Sequence, residues 1–148
     1  MTTASPQAPT QPPAARAAQS GGGPPVTGLT EHVVEVISDS GEGAQRCGQS
    51  LAAIAARAGN GVWTVEIIPA EIQPPARSVA GASGNRIRIA SRRVTNGGDA
   101  ADLVVAFNEQ VLLGRVRDGE LQAGCIILLE SMWREHPDQQ IAAAYART

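Results

Sequence analysis

A chain of 148 residues has room for one domain, and a formal net charge of −2 gives no electrostatic case for nucleic acid. No apolar run approaches the roughly 18–20 residues that a membrane span needs. The two cysteines, Cys47 and Cys125, stand in no metal or redox spacing, which points to a reducing, cytoplasmic setting.

Residues 1–29 carry six of the ten prolines, a single charge at Arg16, and hardly any large apolar side chain. Such a stretch buries too little apolar surface to offset its ordering entropy, so a disordered extension is predicted. It lacks the basic start and apolar stretch of a secretory signal. Residues 30–148 are apolar enough for one packed core. They open with His32-Val-Val-Glu-Val-Ile37, a β-branched run that predicts a strand and ends in Ser38-Asp-Ser-Gly-Glu-Gly43. Cys47, Leu51, Ile54 and Ala58 then recur at helical spacing, closing on Gly59-Asn-Gly61. Residues 62–68 predict a second strand stopped by Pro69, and the three pieces together have the length of a parallel βαβ unit.

A loop rich in proline and glycine follows to Gly84. Asn85-Arg-Ile-Arg-Ile89 alternates at period two, with arginine on one face. Thr95–Gly98 predicts a turn, Asp102–Phe107 a buried strand, and Asn108–Leu113 a short helix. Gly124–Leu129 predicts a further central strand, and Asp138–Ala146 a last helix with Pro137 as its first residue. Alternating strands and helices imply an α/β fold: a Rossmann-like open, mostly parallel sheet with flanking helices.

The turn Gly41-Glu-Gly43-Ala44-Gln45-Arg46 lies where a phosphate-binding turn would lie. Its glycines permit close backbone approach, and the first-turn amides of the helix would face an anion above the strand ends. Two readings stand, a ligand or partner contact and a plain tight turn. Arg46 occupies the place of the third glycine in a dinucleotide signature. Glu66 lies a suitable distance downstream for a ribose hydroxyl, so a free-standing Rossmann-like dinucleotide-binding module is the alternative reading.

This turn, followed by an alanine-rich helix, resembles the G-x-G-G-Q-G turn that opens the gamma domain of 2-oxoacid:acceptor (ferredoxin) oxidoreductases. The similarity continues through the second strand into Pro69-Ala-Glu-Ile-Gln-Pro-Pro-Ala-Arg77, then Asn85–Ser91, Asp102–Phe107 and Leu121–Glu130. It covers residues 32–131 in order, and the loop from Ile72 to Arg77 is similar to the 2-oxoglutarate branch. Departures are Ala44 and Arg46 in the turn, and Ser78 and Val79 where two glycines usually follow the loop arginine.

The resemblance implies a non-catalytic module of an enzyme that decarboxylates a 2-oxoacid on thiamine diphosphate, reduces ferredoxin through iron–sulfur clusters and releases an acyl-coenzyme A. Two cysteines are too few for a four-cysteine cluster, and no metal–diphosphate segment is present. Thiamine diphosphate, magnesium and iron–sulfur clusters are therefore expected in partner chains, a thiamine-binding alpha and an iron–sulfur or beta subunit. This chain alone would hold no cofactor, with coenzyme A possible at the interface and ferredoxin a partner of the whole complex.

Arg77, Arg86, Arg88, Arg92 and Arg93 crowd into 17 residues, and Arg86 and Arg88 share a strand face. With the glycine turn they would make an anion-binding surface for coenzyme A phosphates or an acidic partner. The plainer alternative is a solvated face paired with Glu35 and Glu66. Candidate binding residues are thus Gly41, Gly43, Ala44, Gln45, Arg46, Arg77, Arg86, Arg88 and Asn108, the last also a natural helix cap. Cys47, Cys125 and Trp63 read as packed core, although Cys47 also sits where a helix start favours a thiolate. His32 and His136 have no partners at metal spacing.

Overall fold

A computed structural model of the protein describes residues 26–69 and 81–147. Most of the N-terminal extension, and the loop bearing Arg77, lie outside the described residues. Five strands form one sheet: β1 Glu31–Asp39, β2 Gly61–Ile67, β3 Ala82–Ala90, β4 Ala101–Ala106 and β5 Leu121–Leu129. Helix α1, Ala44–Arg57, joins β1 to β2, and α2, Glu109–Arg117, joins β4 to β5. A single 3-10 turn, Met132–Glu135, and a short helix α3, Gln139–Tyr145, follow.

The sheet order is β2-β3-β1-β4-β5. β1 pairs in parallel with β4, and β4 with β5, whereas β3 runs antiparallel to both β1 and β2. Four of the five strands therefore point the same way, and the two antiparallel pairings of β3 make the open α/β sheet a mixed one. The first βαβ unit differs from expectation in one respect: β3 is inserted between its two strands. From β1 the chain crosses toward β2, and from β4 it crosses toward β5. The order thus reverses between β1 and β4, where open α/β sheets carry ligand crevices.

Alternation along β1 divides the core in two. Val34 and Val36 face α1 with Ile87, Ala44 and Ala52. Ile37 faces the other way, with Val104, Val111 and Leu112 under α2. Along α1 the buried positions are Ala44, Gly48, Ala52 and Ala55, not the stripe of Cys47, Leu51 and Ile54. Cys47 and Ile54 are exposed and Leu51 is half-buried. The helix is turned by close packing. A Cβ on Gly48 would lie 2.4 Å from the Asn85 Cβ and 3.3 Å from Ile87 Cδ1, so only small residues let α1 reach β3.

Three other expectations are corrected. β5 is an edge strand rather than a central one. Trp63, on the opposite edge strand, is 43% exposed rather than core. Pro137 precedes the N-cap of α3: Asp138 is the cap, its Oδ1 accepting from the Gln140 amide at 2.8 Å.

Replacing Gly48 with Ala forces α1 and β3 apart, and overpacking of this kind costs about 1–3 kcal/mol. Urea unfolding of Gly48→Ala is expected to show a lower midpoint at unchanged slope; an unchanged midpoint contradicts the close contact.

Candidate functional site

At the C-terminal ends of β1, β4 and β5, three turns meet around a groove. The first is the glycine turn. Gly41 and Gly43 both have φ of +94°, in the left-handed region where glycine is the unstrained choice. Gly43 is the N-cap of α1 and brings no side chain, and no acidic residue stands in the first turn. Ala44 is buried, whereas Arg46 is exposed on the first turn of the helix. Gln45 turns away from the groove, its Nε2 donating to the Ile67 carbonyl at 3.2 Å.

The second turn follows β4. Asn108 is buried, and its Oδ1 accepts from the Val111 amide at 3.1 Å, capping α2. Its Nδ2 donates to Asp39 Oδ2 at 3.0 Å, which ties this cap to the end of β1. Asn108 is thus a helix cap that stands at the switch between β1 and β4.

The third turn follows β5, and sequence reasoning missed it. Trp133 Nε1 donates to the Phe107 carbonyl at 2.8 Å, fastening the 3-10 turn across the end of β4. Glu42, Val105, Phe107, Glu130, Met132 and Trp133 line a groove of about 430 Å3. The signal for it was an indole three residues beyond the acidic Glu130 that follows β5, which no motif marks.

Arg86 and Arg88 do not join this groove. Both point to the α2 side of the sheet, and Arg88 pairs with Val33 while the glycine turn follows Asp39. Six residues of strand, roughly 20 Å, separate them along β1. Arg86 Nε donates to Glu35 Oε1 at 2.7 Å, and its Nη2 donates to Glu120. Its Nη1 donates to the Asp99 carbonyl at 3.2 Å. Arg115 Nε lies 3.2 Å from the other Glu35 oxygen, an ionic contact without hydrogen-bond alignment. Burial acts to lower the Arg86 pKa but is outweighed by attraction and hydrogen bonding to Glu35 and Glu120, so it ends above its ordinary value. Arg88 Nε donates to Glu31 Oε1 at 2.8 Å, and its Nη1 donates to Asn96.

Arg86 and Arg88 therefore form an internal clasp. Two guanidinium forks hold the segment 91–100 over β3, and their donors are already spent on carboxylates and carbonyls. Glu35 is the expected partner of Arg86; Glu66 is not, since it accepts from Gln49 Nε2 at 3.0 Å on the far side. Glu66 also stands two strands, about 10 Å, from β1, which removes it from the ribose position of a dinucleotide site.

No cluster of three or more His, Cys, Asp or Glu able to hold a metal exists among the described residues. Cys47 is exposed on α1, while Cys125 on β5 is half-buried and packs beneath α2. Burial pushes the Cys125 thiol up, helped by the nearby charge of Asp102. Two cysteines on opposite faces of the sheet do not fit an iron–sulfur cluster. Among the described residues no helix is long and apolar enough to cross a membrane.

No protein-family profile matches the chain. It is 34% identical over 103 residues to the 2-oxoglutarate oxidoreductase subunit KorA of Mycobacterium tuberculosis, a match spanning 70% of this chain. Its fold superposes with a TM-score of 0.60 and 26% identity on the 2-oxoglutarate:ferredoxin oxidoreductase of Magnetococcus marinus, covering 76% of this chain. The chain matches the gamma-type domain of 2-oxoacid:ferredoxin oxidoreductases. The match takes in only 16% of the length of the curated relative and 18% of the Magnetococcus chain. A keto/oxoacid ferredoxin oxidoreductase gamma subunit from Geobacter sulfurreducens shares the fold alone, with a TM-score of 0.52 and 17% identity over 52% of its length. The Magnetococcus enzyme was solved with 2-oxoglutarate, coenzyme A and succinyl-CoA bound.

Glu35→Ala leaves Arg86 and Arg115 buried without their shared carboxylate, and breaking such a pair costs about 3–5 kcal/mol. Arg92→Gln, which removes an exposed pair with Glu31, is expected to cost about 0–1 kcal/mol. Equal, small losses in urea unfolding would return these arginines to a solvated face.

Proposed function

We propose that this chain is a non-catalytic assembly module of a 2-oxoacid:ferredoxin oxidoreductase, with 2-oxoglutarate as the oxoacid. The observation that carries the reading is the 34% identity to a 2-oxoglutarate oxidoreductase subunit over most of the chain's length. In this reading the chain holds its place in a larger reducing, cytoplasmic complex, and the chemistry belongs to partner polypeptides. A thiamine-binding chain with its magnesium carries out the decarboxylation, and an iron–sulfur chain passes electrons to ferredoxin.

The residues support that division of labour. Two cysteines are too few for a four-cysteine cluster, and Glu31, Glu35 and Glu120 are engaged by arginines. What the chain offers instead is a shaped surface at the strand ends. Coenzyme A, in this reading, meets the first-turn amides of α1 and the exposed Arg46, outside the groove lined by Glu42 and Glu130. Arg86 and Arg88 take no part in that contact, because their donors are engaged within the fold.

Affinity purification of the tagged full chain from its own cells tests the reading. Thiamine-binding and iron–sulfur polypeptides are expected to co-purify, and the complex to reduce ferredoxin with 2-oxoglutarate only when coenzyme A is present. Arg46→Gln is expected to raise the Michaelis constant for coenzyme A about tenfold while leaving complex mass unchanged. A chain recovered alone, or a complex indifferent to 2-oxoacids, contradicts the assignment.

A further inference from the structure

The sheet is covered unevenly. On its α1 side the helix packs over β3, β2 and β1, and its main cover stops short of β5. The cross-strand pairs Leu103–Ile126 and Val105–Leu128 lie on this side, and Ile126 and Leu128 are 58% and 55% exposed. Ile127, pointing the other way, is exposed as well. β5 is thus an edge strand with three consecutive exposed apolar residues and no charged side chain from Leu121 to Leu129. Natural edges of this composition invite pairing unless a charge, a proline or a cover blocks them.

The apolar strip runs without a break into the groove at the strand ends, because Val105 belongs to both. Met132, 63% exposed, extends it. The two ionisable residues lining the groove, Glu42 and Glu130, are both acidic, and no arginine lines it. Each carboxylate accepts one local backbone hydrogen bond, from Asp39 and Met132 respectively, and among the described residues neither forms an ion pair. An apolar floor under two unmatched negative charges selects an occupant that is apolar and basic. It counts against coenzyme A phosphates in this groove, and against a second copy, which would bring the same carboxylates.

The geometry points to a polypeptide docking surface here: an extended partner segment pairs with the free edge of β5, sets alternate apolar side chains on Ile126 and Leu128, and places an arginine or lysine against Glu42 and Glu130. The relatives support a polypeptide occupant. In the Mycobacterium, Magnetococcus and Geobacter proteins the matched part is 16%, 18% and 52% of a longer chain, so this fold is carried there with further polypeptide. The inference rests on the assembly-module reading only for that choice of occupant.

The test is selection on the immobilised full chain from a library of random peptides of about twelve residues, long enough to pair along the strand. Enriched peptides are expected to alternate apolar residues and to carry an arginine or lysine. They are expected to shift Trp133 emission in a Trp63→Phe background. Ile126→Glu with Leu128→Glu should weaken them by roughly tenfold or more. Both side chains are exposed, so the fold should survive, as circular dichroism will report. Glu42→Gln with Glu130→Gln keeps a side-chain oxygen to accept from the Asp39 and Met132 amides and should abolish the preference for basic peptides even if the first double variant fails to fold. Acidic or unselective enrichment, binding that ignores both variant pairs, or a chain that is itself a dimer broken by Leu128→Glu would each overturn the proposal. Failed co-purification with peptide selection intact removes the oxidoreductase reading and leaves this surface standing.

Discussion

Glu35 has no solvent exposure, yet it places a carboxylate in the middle of the central strand. A charge in that position is tolerated only if it is matched at once by cations that are themselves held in place. Arg86 arrives from β3 directly opposite, and Arg115 arrives from α2. Arg86 then extends the network to Glu120, at the start of β5, and to the carbonyls of the segment 91–100. One buried carboxylate therefore fixes the position of β3 on one side and α2 on the other. It also fixes the loop that closes over them, and that side of the sheet becomes interior.

The consequence for function is a division of the surface. Five arginines close together look like an anion site, but two of them, Arg86 and Arg88, are spent in holding the fold. On the opposite side, among the described residues, β5 stays exposed, because α1 is drawn tightly onto β3 by Gly48 and packs mainly over β3, β2 and β1. The free region lies beside the reversal of strand order, where turns from β1, β4 and β5 converge. A domain built this way has a rigid, closed half and an open half. The open half offers apolar area and negative charge rather than catalytic groups.

Much of this was legible from residue patterns alone. Strand-forming runs, the glycine turn and the apolar periods named every strand and helix except the 3-10 turn, and the ordered set of motifs identified the family. The failures share a cause: patterns report what a residue could do and not what stands opposite it. Cys47, Leu51 and Ile54 made the larger apolar stripe, but the contact with Asn85 favoured the smallest residues, so Gly48 and its alanines face inward. Gly124–Leu129 is as apolar as a central strand, and its place at the edge depends on sheet order, which no local pattern carries. The alternation of Arg86 and Arg88 was read correctly as a shared face. That the face is turned onto Glu35 and Glu31 required the antiparallel register of β3. Trp133 was overlooked because its role, a bond to the Phe107 carbonyl, joins two turns distant in sequence.

Docking through the open half is the role proposed for the chain. Amide hydrogen exchange of the full chain, free and within the complex purified from its own cells, addresses this directly, since a strand added to β5 must slow exchange along that edge. New protection is expected across residues 121–133 and little change across 85–90, where the amides are already paired within the sheet. Protection confined to 85–90, with residues 121–133 exchanging as in the free chain, would contradict docking through the open half.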